Sequence, residues 1–122
     1  MIKLRTALQA YLKALQPRVY FQDAPESATY PYIVFGLPSV LDSGEYQELI
    51  MVDIDGWDSP ALGDTTALES MMTTINNLNK TVLTADDMRA VFYLENKLSL
   101  GDTDPRIKRR KYTYQAKLYK GE

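Results

Sequence analysis

Leu4, Leu8, Tyr11, Leu12 and Leu15 recur at steps of three and four, which places them on one face of a helix. Pro17 ends that helix, because the residue before a proline is pushed out of the helical region. Val19-Tyr20-Phe21 reads as a short strand ahead of the polar loop QDAPESAT. In YPYIVFGLP, Tyr32 and Val34 alternate with Ile33 and Phe35 between two prolines, the pattern of a strand with apolar residues on both faces. Burial on both sides is expected there. After PSVLDSGE, whose Asp42-Ser43-Gly44 is a turn signal, YQELIMVDIDGW separates into two faces. One carries Tyr46, Ile50, Val52 and Ile54, interrupted only by Glu48; the other carries Leu49, Met51, Asp53, Asp55 and Trp57. The two aspartates mark the second face as solvent-exposed or as meeting a charged partner.

Beyond DSPALGD, Leu68, Met71, Met72, Ile75 and Leu78 form the stripe of a second helix, and Thr66 and Glu69 have the spacing of a capping box. Met88, Ala90, Phe92 and Leu94 then alternate with Arg89, Val91, Tyr93 and Glu95 as a strand. NKLSLGDTDP reads as a long, mobile polar connection, as does PSVLDSGE earlier. A last strand turns Tyr112, Tyr114, Ala116 and Leu118 inward and Thr113, Gln115 and Lys117 outward. Strands and helices do not alternate regularly, so a parallel sheet is not indicated. The expected class is α+β: an antiparallel sheet of about four strands with two main helices packed on it. No repeat or shift of composition divides residues 1–122, and a single domain is expected.

Composition narrows the chemistry. The 122 residues include no cysteine and no histidine, which removes disulfides, thiolate catalysis, cysteine-type zinc sites and the commonest general base. No apolar run approaches the roughly 20 residues of a membrane-spanning helix, and the amino-terminal pattern carries charges unlike a signal peptide. A soluble chain made in the cytoplasm is expected. A net charge of -2 gives no overall attraction to nucleic acid.

The sharpest enzymatic candidate is VDIDGWD, where Asp53 and Asp55 share a strand face and Asp58 follows. Paired carboxylates can bind magnesium and position a phosphate, but further oxygen ligands are needed and the spacing matches no calcium loop. No glycine-rich phosphate loop is present, and nothing activates the abundant Ser, Thr and Tyr hydroxyls. The chain is read as non-enzymatic, with no catalytic, metal or cofactor residues. Met71 and Met72 belong to a core stripe, and Lys3, Arg5 and Lys13 form the solvated side of the first helix.

The slightly acidic chain nevertheless gathers five basic residues within Arg106–Lys111, at the start of the last strand. With Tyr112, Tyr114 and Tyr119 these resemble the parts of a single-strand nucleic-acid site, but the first two tyrosines continue the inward set. Alternation sends Lys108 and Arg110 to one face and Arg109 and Lys111 to the other, so this half-strand is expected to extend past the core. Charge on both faces protects an edge strand, and it also suits contact with acids on a neighbouring subunit. Glu45, Glu48, Asp53, Asp55 and Asp58 supply such acids. Separate patches of opposite sign favour a head-to-tail contact that closes into a ring. The expected interface set is Arg106, Lys108, Arg109, Arg110, Lys111, Asp53, Asp55 and Asp58. Reversing Arg109 and Arg110 to Glu is then expected to spare folding and to prevent assembly.

Taken in order, the first helix, PYIVFGLP, the strand ending DIDGWD, the helix LESMMTTINNL and the closing DPRIKRRKYTYQ resemble the tail-completion, or tail-terminator, proteins of long-tailed bacteriophages and prophages. The resemblance spans nearly the whole chain. It implies a small α+β structural protein without a catalytic site, located in the virion at the head-proximal end of the tail. There it would form a hexameric ring, compatible with a monomer when free, that stops tube growth and meets the tail tube protein and the head connector. No membrane and no specific nucleic acid is implied as a partner. The competing expectation is a metal-dependent phosphodiesterase or nucleic-acid-binding accessory protein using Asp53, Asp55 and the basic strand.

Overall fold

A computed structural model describes residues 2–42, 47–85, 88–101 and 104–120. The first helix, α1, spans Ile2–Leu15 and is followed by strands β1 (Val19–Phe21), β2 (Tyr32–Asp42) and β3 (Gln47–Asp58). Helix α2 (Thr66–Ile75) runs into a 3-10 turn at Asn76–Leu78, and β4 (Val82–Ala85), β5 (Met88–Leu100) and β6 (Lys108–Lys120) complete the chain. The strands form one sheet in the order β1-β2-β3-β6-β5-β4. Only the β1–β2 pair is parallel; the other neighbours are antiparallel. The class is α+β as expected, with six strands in place of about four.

The helices cover one face of this sheet. Leu4, Leu8 and Leu12 of α1 and Leu68, Met72 and Ile75 of α2 join Ile33, Phe35, Ile50, Val52, Ile54, Ala90, Phe92, Tyr114 and Ala116 in a single core whose members are all fully buried. Period-two alternation therefore selects the inward set on β3, β5 and β6 as the sequence implied. Gly56 lets α2 approach closely, since a Cβ there would lie 2.5 Å from Met72 Sδ and 3.2 Å from Leu68 Cδ1. Tyr114, the largest buried side chain, donates its hydroxyl to Asn76 Oδ1 at 2.8 Å, and burial pushes its ionisation up.

Four expectations need correction. β2 is not buried on both faces: Ile33 and Phe35 enter the core, while Tyr32 and Val34 remain partly exposed because no element of the described chain covers that side. The polar stretch Asn96–Leu100 is not a loop but the second half of β5, recruited by pairing with β6 down to Leu100 opposite Arg109. Its local propensity is weak, and a ready-made partner strand overrides it. Likewise, Pro38–Asp42 belongs to β2, paired with β3 across an irregularity between Gly36 and Ser39. Finally, no capping box forms between Thr66 and Glu69. Asp64 Oδ1 instead accepts from the Thr66 amide at 2.9 Å and its hydroxyl at 2.6 Å, which holds the Asp64 carboxyl below its usual range. Strand β4 was not anticipated; it is four residues long and only half-buried. Glu45, Tyr46, the Ser43-Gly44 part of the turn signal, and Asp102 and Thr103 in the second connection lie outside the described residues.

Candidate functional site

β3 and β6 are neighbours, and this decides where the charges go. Their register sets Asp53 opposite Thr113, Asp55 opposite Lys111, Trp57 opposite Arg109 and Asp58 opposite Lys108. On the face without helices, Arg109 Nη2 donates to Asp55 Oδ1 at 3.2 Å and Lys111 Nζ lies 3.7 Å from Asp53 Oδ2. Thr113 Oγ1 also donates to Asp53 Oδ1, at 3.1 Å. Both partners of the Arg109–Asp55 pair are largely shielded, with 23% and 16% of their side chains exposed. Burial is the main influence on the Asp55 carboxyl and raises its pKa, although Arg109 and Lys111 pull the other way.

Arg109 is held by more than a carboxylate. Its guanidinium carbon lies 4.2 Å from the centre of the Trp57 ring, and Trp57 stacks on Tyr32 at 6.1 Å and 13°. Tyr32 in turn meets Tyr20 edge-on at 5.9 Å and Tyr30 at 5.3 Å. A ladder of aromatic rings ending in a cation thus crosses β1, β2, β3 and β6. Each such contact is worth roughly 0.5–1.5 kcal/mol at partly exposed positions. The indole N–H of Trp57 and Nε of Arg109 are shut off from solvent and have no acceptor among the described residues, so ring contacts and the single Nη2–Asp55 hydrogen bond hold this corner. Beside the ladder is a depression of about 340 Å³, open to solvent and lined by Gln22, Asp23, Tyr32, Asp55, Trp57 and Arg109.

The other members of the basic run are separated from this face. Arg110 turns toward the helices, where its Nε donates to Glu69 Oε1 in the first turn of α2 at 2.7 Å. Lys108 Nζ donates to the Pro105 carbonyl at 3.0 Å. Arg106 forms a two-point contact with its near neighbour Asp104, at 3.1 Å and 2.8 Å, and holds that carboxyl at about 2. Asp58 is buried on the helix side and accepts from the Ser59 amide at 2.8 Å.

Three inferences from the sequence therefore change. β6 is a central strand from Lys108 onward, flanked by β3 and β5, so its basic half neither lies at an edge nor runs past the sheet. The acidic and basic residues are not separate patches; Asp53, Asp55, Arg109 and Lys111 neutralise one another within the chain. A neighbouring subunit is not required to supply their counter-charges. Asp53, Asp55 and Asp58 do not converge either, and among the described residues no group of three or more acidic side chains is arranged to hold a metal ion. The tyrosines of the ladder, and Glu69 as the partner of Arg110, were missed. The outward parity of Tyr32 and Trp57 was readable from alternation, but which strands stand side by side was not.

No protein-family model matches the chain, and no curated protein matches it. Among solved structures, a chain in the virion of a native gene transfer agent (GTA) particle matches with a TM-score of 0.76. The chain is similar in fold to a virion component. The match covers 96% of this chain and 95% of that chain at 15% sequence identity. The likeness is thus one of architecture over nearly the whole chain.

Proposed function

We propose that this protein is a structural subunit of a phage-like particle and that it serves there as the tail terminator, a ring ending the tail tube and joining it to the head. The observation that carries this reading is the whole-length fold similarity to a chain of a gene transfer agent virion. The arrangement of the site supports a structural role. Its charged groups are committed to one another, and its aromatic groups pack against one another edge-on, tilted and stacked, so neither set is poised for bond-making chemistry. The proposed protein has no catalytic activity, and its partners are further copies of itself, a tube subunit and a head connector.

The reading is tested by removing the gene from cells that produce the particle and imaging the products by negative-stain electron microscopy. Tails of irregular, excessive length and heads without tails are expected, with normal particles restored by the gene in trans. Normal tails joined to heads in its absence would overturn the terminator role. Failure to find the protein in purified particles would overturn the virion role altogether.

A further inference from the structure

Among the described residues the sheet has two unpaired edge segments, and they are complementary. β1 covers β2 only at Ile33–Phe35, leaving the outer edge of β2 beyond Gly36 without a backbone partner among the described residues. β4 covers β5 only at Met88–Val91, and Lys80, Thr81 and Asn79 extend that cover no further than Leu94. Glu95–Leu100 is therefore also open, among the described residues, on the side away from β6. Because β2, β3, β6 and β5 alternate in direction, β2 and β5 run antiparallel. A second copy related by continuation of the sheet would thus bring its β5 edge against the β2 edge in the more stable antiparallel sense.

We infer that copies of this chain join head to tail by continuing the sheet, the β2 edge at 39–42 of one copy pairing with the β5 edge at 95–100 of the next. This rests on the ring reading above and specifies which surfaces make the ring. Exposed edges normally carry charges or proline as protection. Here Pro38 lies in the irregularity of β2 and the exposed charge of Glu95 in that of β5, and beyond them the open edges display Val40 and Leu98, 37% and 40% exposed. Lys97, the central charge of the β5 segment, is drawn onto the Tyr112 ring at 5.2 Å. The geometry also favours closure. Residues 39–42 of β2 stand level with 90–93 of β5, whereas the open part of β5 is displaced along the strand by about five residues, roughly 17 Å. Across four strands spaced about 4.8 Å apart this stagger corresponds to a tilt of roughly 40°, within the range of closed barrels. Repetition of one such heterologous contact builds a ring when its rotation closes and an open filament when it does not, and in neither case a two-fold dimer.

Since the chain has no cysteine, introduced thiols report on this contact alone. Val40 and Ser99 pair with Ile50 and Arg110, both on the helix side of the sheet, so a continued sheet places them on the same face. They stand three strand spacings apart within one chain, roughly 14 Å, too far for an internal disulfide. Val40→Cys and Ser99→Cys chains, each shown to be folded by circular dichroism, are mixed under mild oxidation and resolved on a non-reducing gel. Val40→Cys with Lys97→Cys tests the register two residues away. The expected result is a mixed disulfide in one of the two mixtures, several-fold above either variant alone, and a ladder of multimers from the double variant. Oxidation that yields only dimers of a single variant would overturn the head-to-tail pairing. So would the absence of cross-links in a preparation where six copies of the 13.9 kDa chain sediment together at about 83 kDa; the ring would then stand on other surfaces. A wild-type chain that stays monomeric at its highest soluble concentration, with no cross-link, also overturns the edge contact. The terminator reading is decided separately by particle morphology.

Discussion

Reversing Arg109 to Glu probes the most consequential difference between the sequence and the fold. A charge beyond the core would tolerate reversal at little cost to stability, since exposed substitutions change it by about 0.5 kcal/mol or less. Arg109 instead sits 3.2 Å from Asp55, with both side chains mostly shielded, and covers the face of Trp57. Loss of the cation–π contact costs about 0.5–1 kcal/mol. Loss of the ion pair adds about 1 kcal/mol once partial exposure is allowed for. A carboxylate placed about 4 Å from Asp55 repels it by roughly 1–4 kcal/mol between the limits of bulk water and a protein surface, partly relieved by side-chain movement. The expected total is about 2–4 kcal/mol, read as a lower urea midpoint with an unchanged slope. Adding Asp55→Lys to the same chain should recover at least about 1 kcal/mol, giving a non-additive double-mutant cycle. A loss under about 0.5 kcal/mol for Arg109→Glu, or an additive cycle, would refute the reasoning. Arg110→Glu should cost less, because its partner Glu69 is 55% exposed.

Phe92→Ala empties a fully buried aromatic position and should cost about 3–5 kcal/mol in a denaturant titration. Gly56→Ala forces a methyl against Met72 and Leu68 and should destabilise by about 1–3 kcal/mol, whereas Gly36→Ala, which meets nothing within 4 Å, should change stability by less than about 1 kcal/mol in the same assay. For Asp55 the sign follows from a folded pKa raised above its ordinary 3.8 by burial: the folded state binds the proton more readily, so this group's contribution to stability grows as pH falls through the folded pKa and levels off below 3.8. Urea titrations across that window should show wild type gaining on Asp55→Asn as pH falls; a gain in the opposite direction would show that the pairing with Arg109, not burial, dominates.

The class, both helices and the inward faces of three strands were legible because they depend on local periodicity. Leu4, Leu8 and Leu12 repeat at a helical interval, and Ile50, Val52 and Ile54 at a strand interval, whatever stands opposite them. The outward position of Asp53, Asp55 and Trp57 followed from the same rule. What surrounds those residues did not, because strand neighbours are chosen by contacts far apart in the chain. Asp55 and Arg109 are 54 residues apart, and only the placement of β6 between β3 and β5 makes them partners. Burial on one face of β2 was likewise set by where the helices dock. The parity of β5 changes at the irregularity between Leu94 and Asn96, so Leu98 faces the side of Lys111 while Lys97 turns to Tyr112. One extra residue in one strand does this, and alternation counted along the sequence cannot reveal it. Periodicity thus fixed what each strand turns inward, and strand order, register and one bulge decided which charges meet.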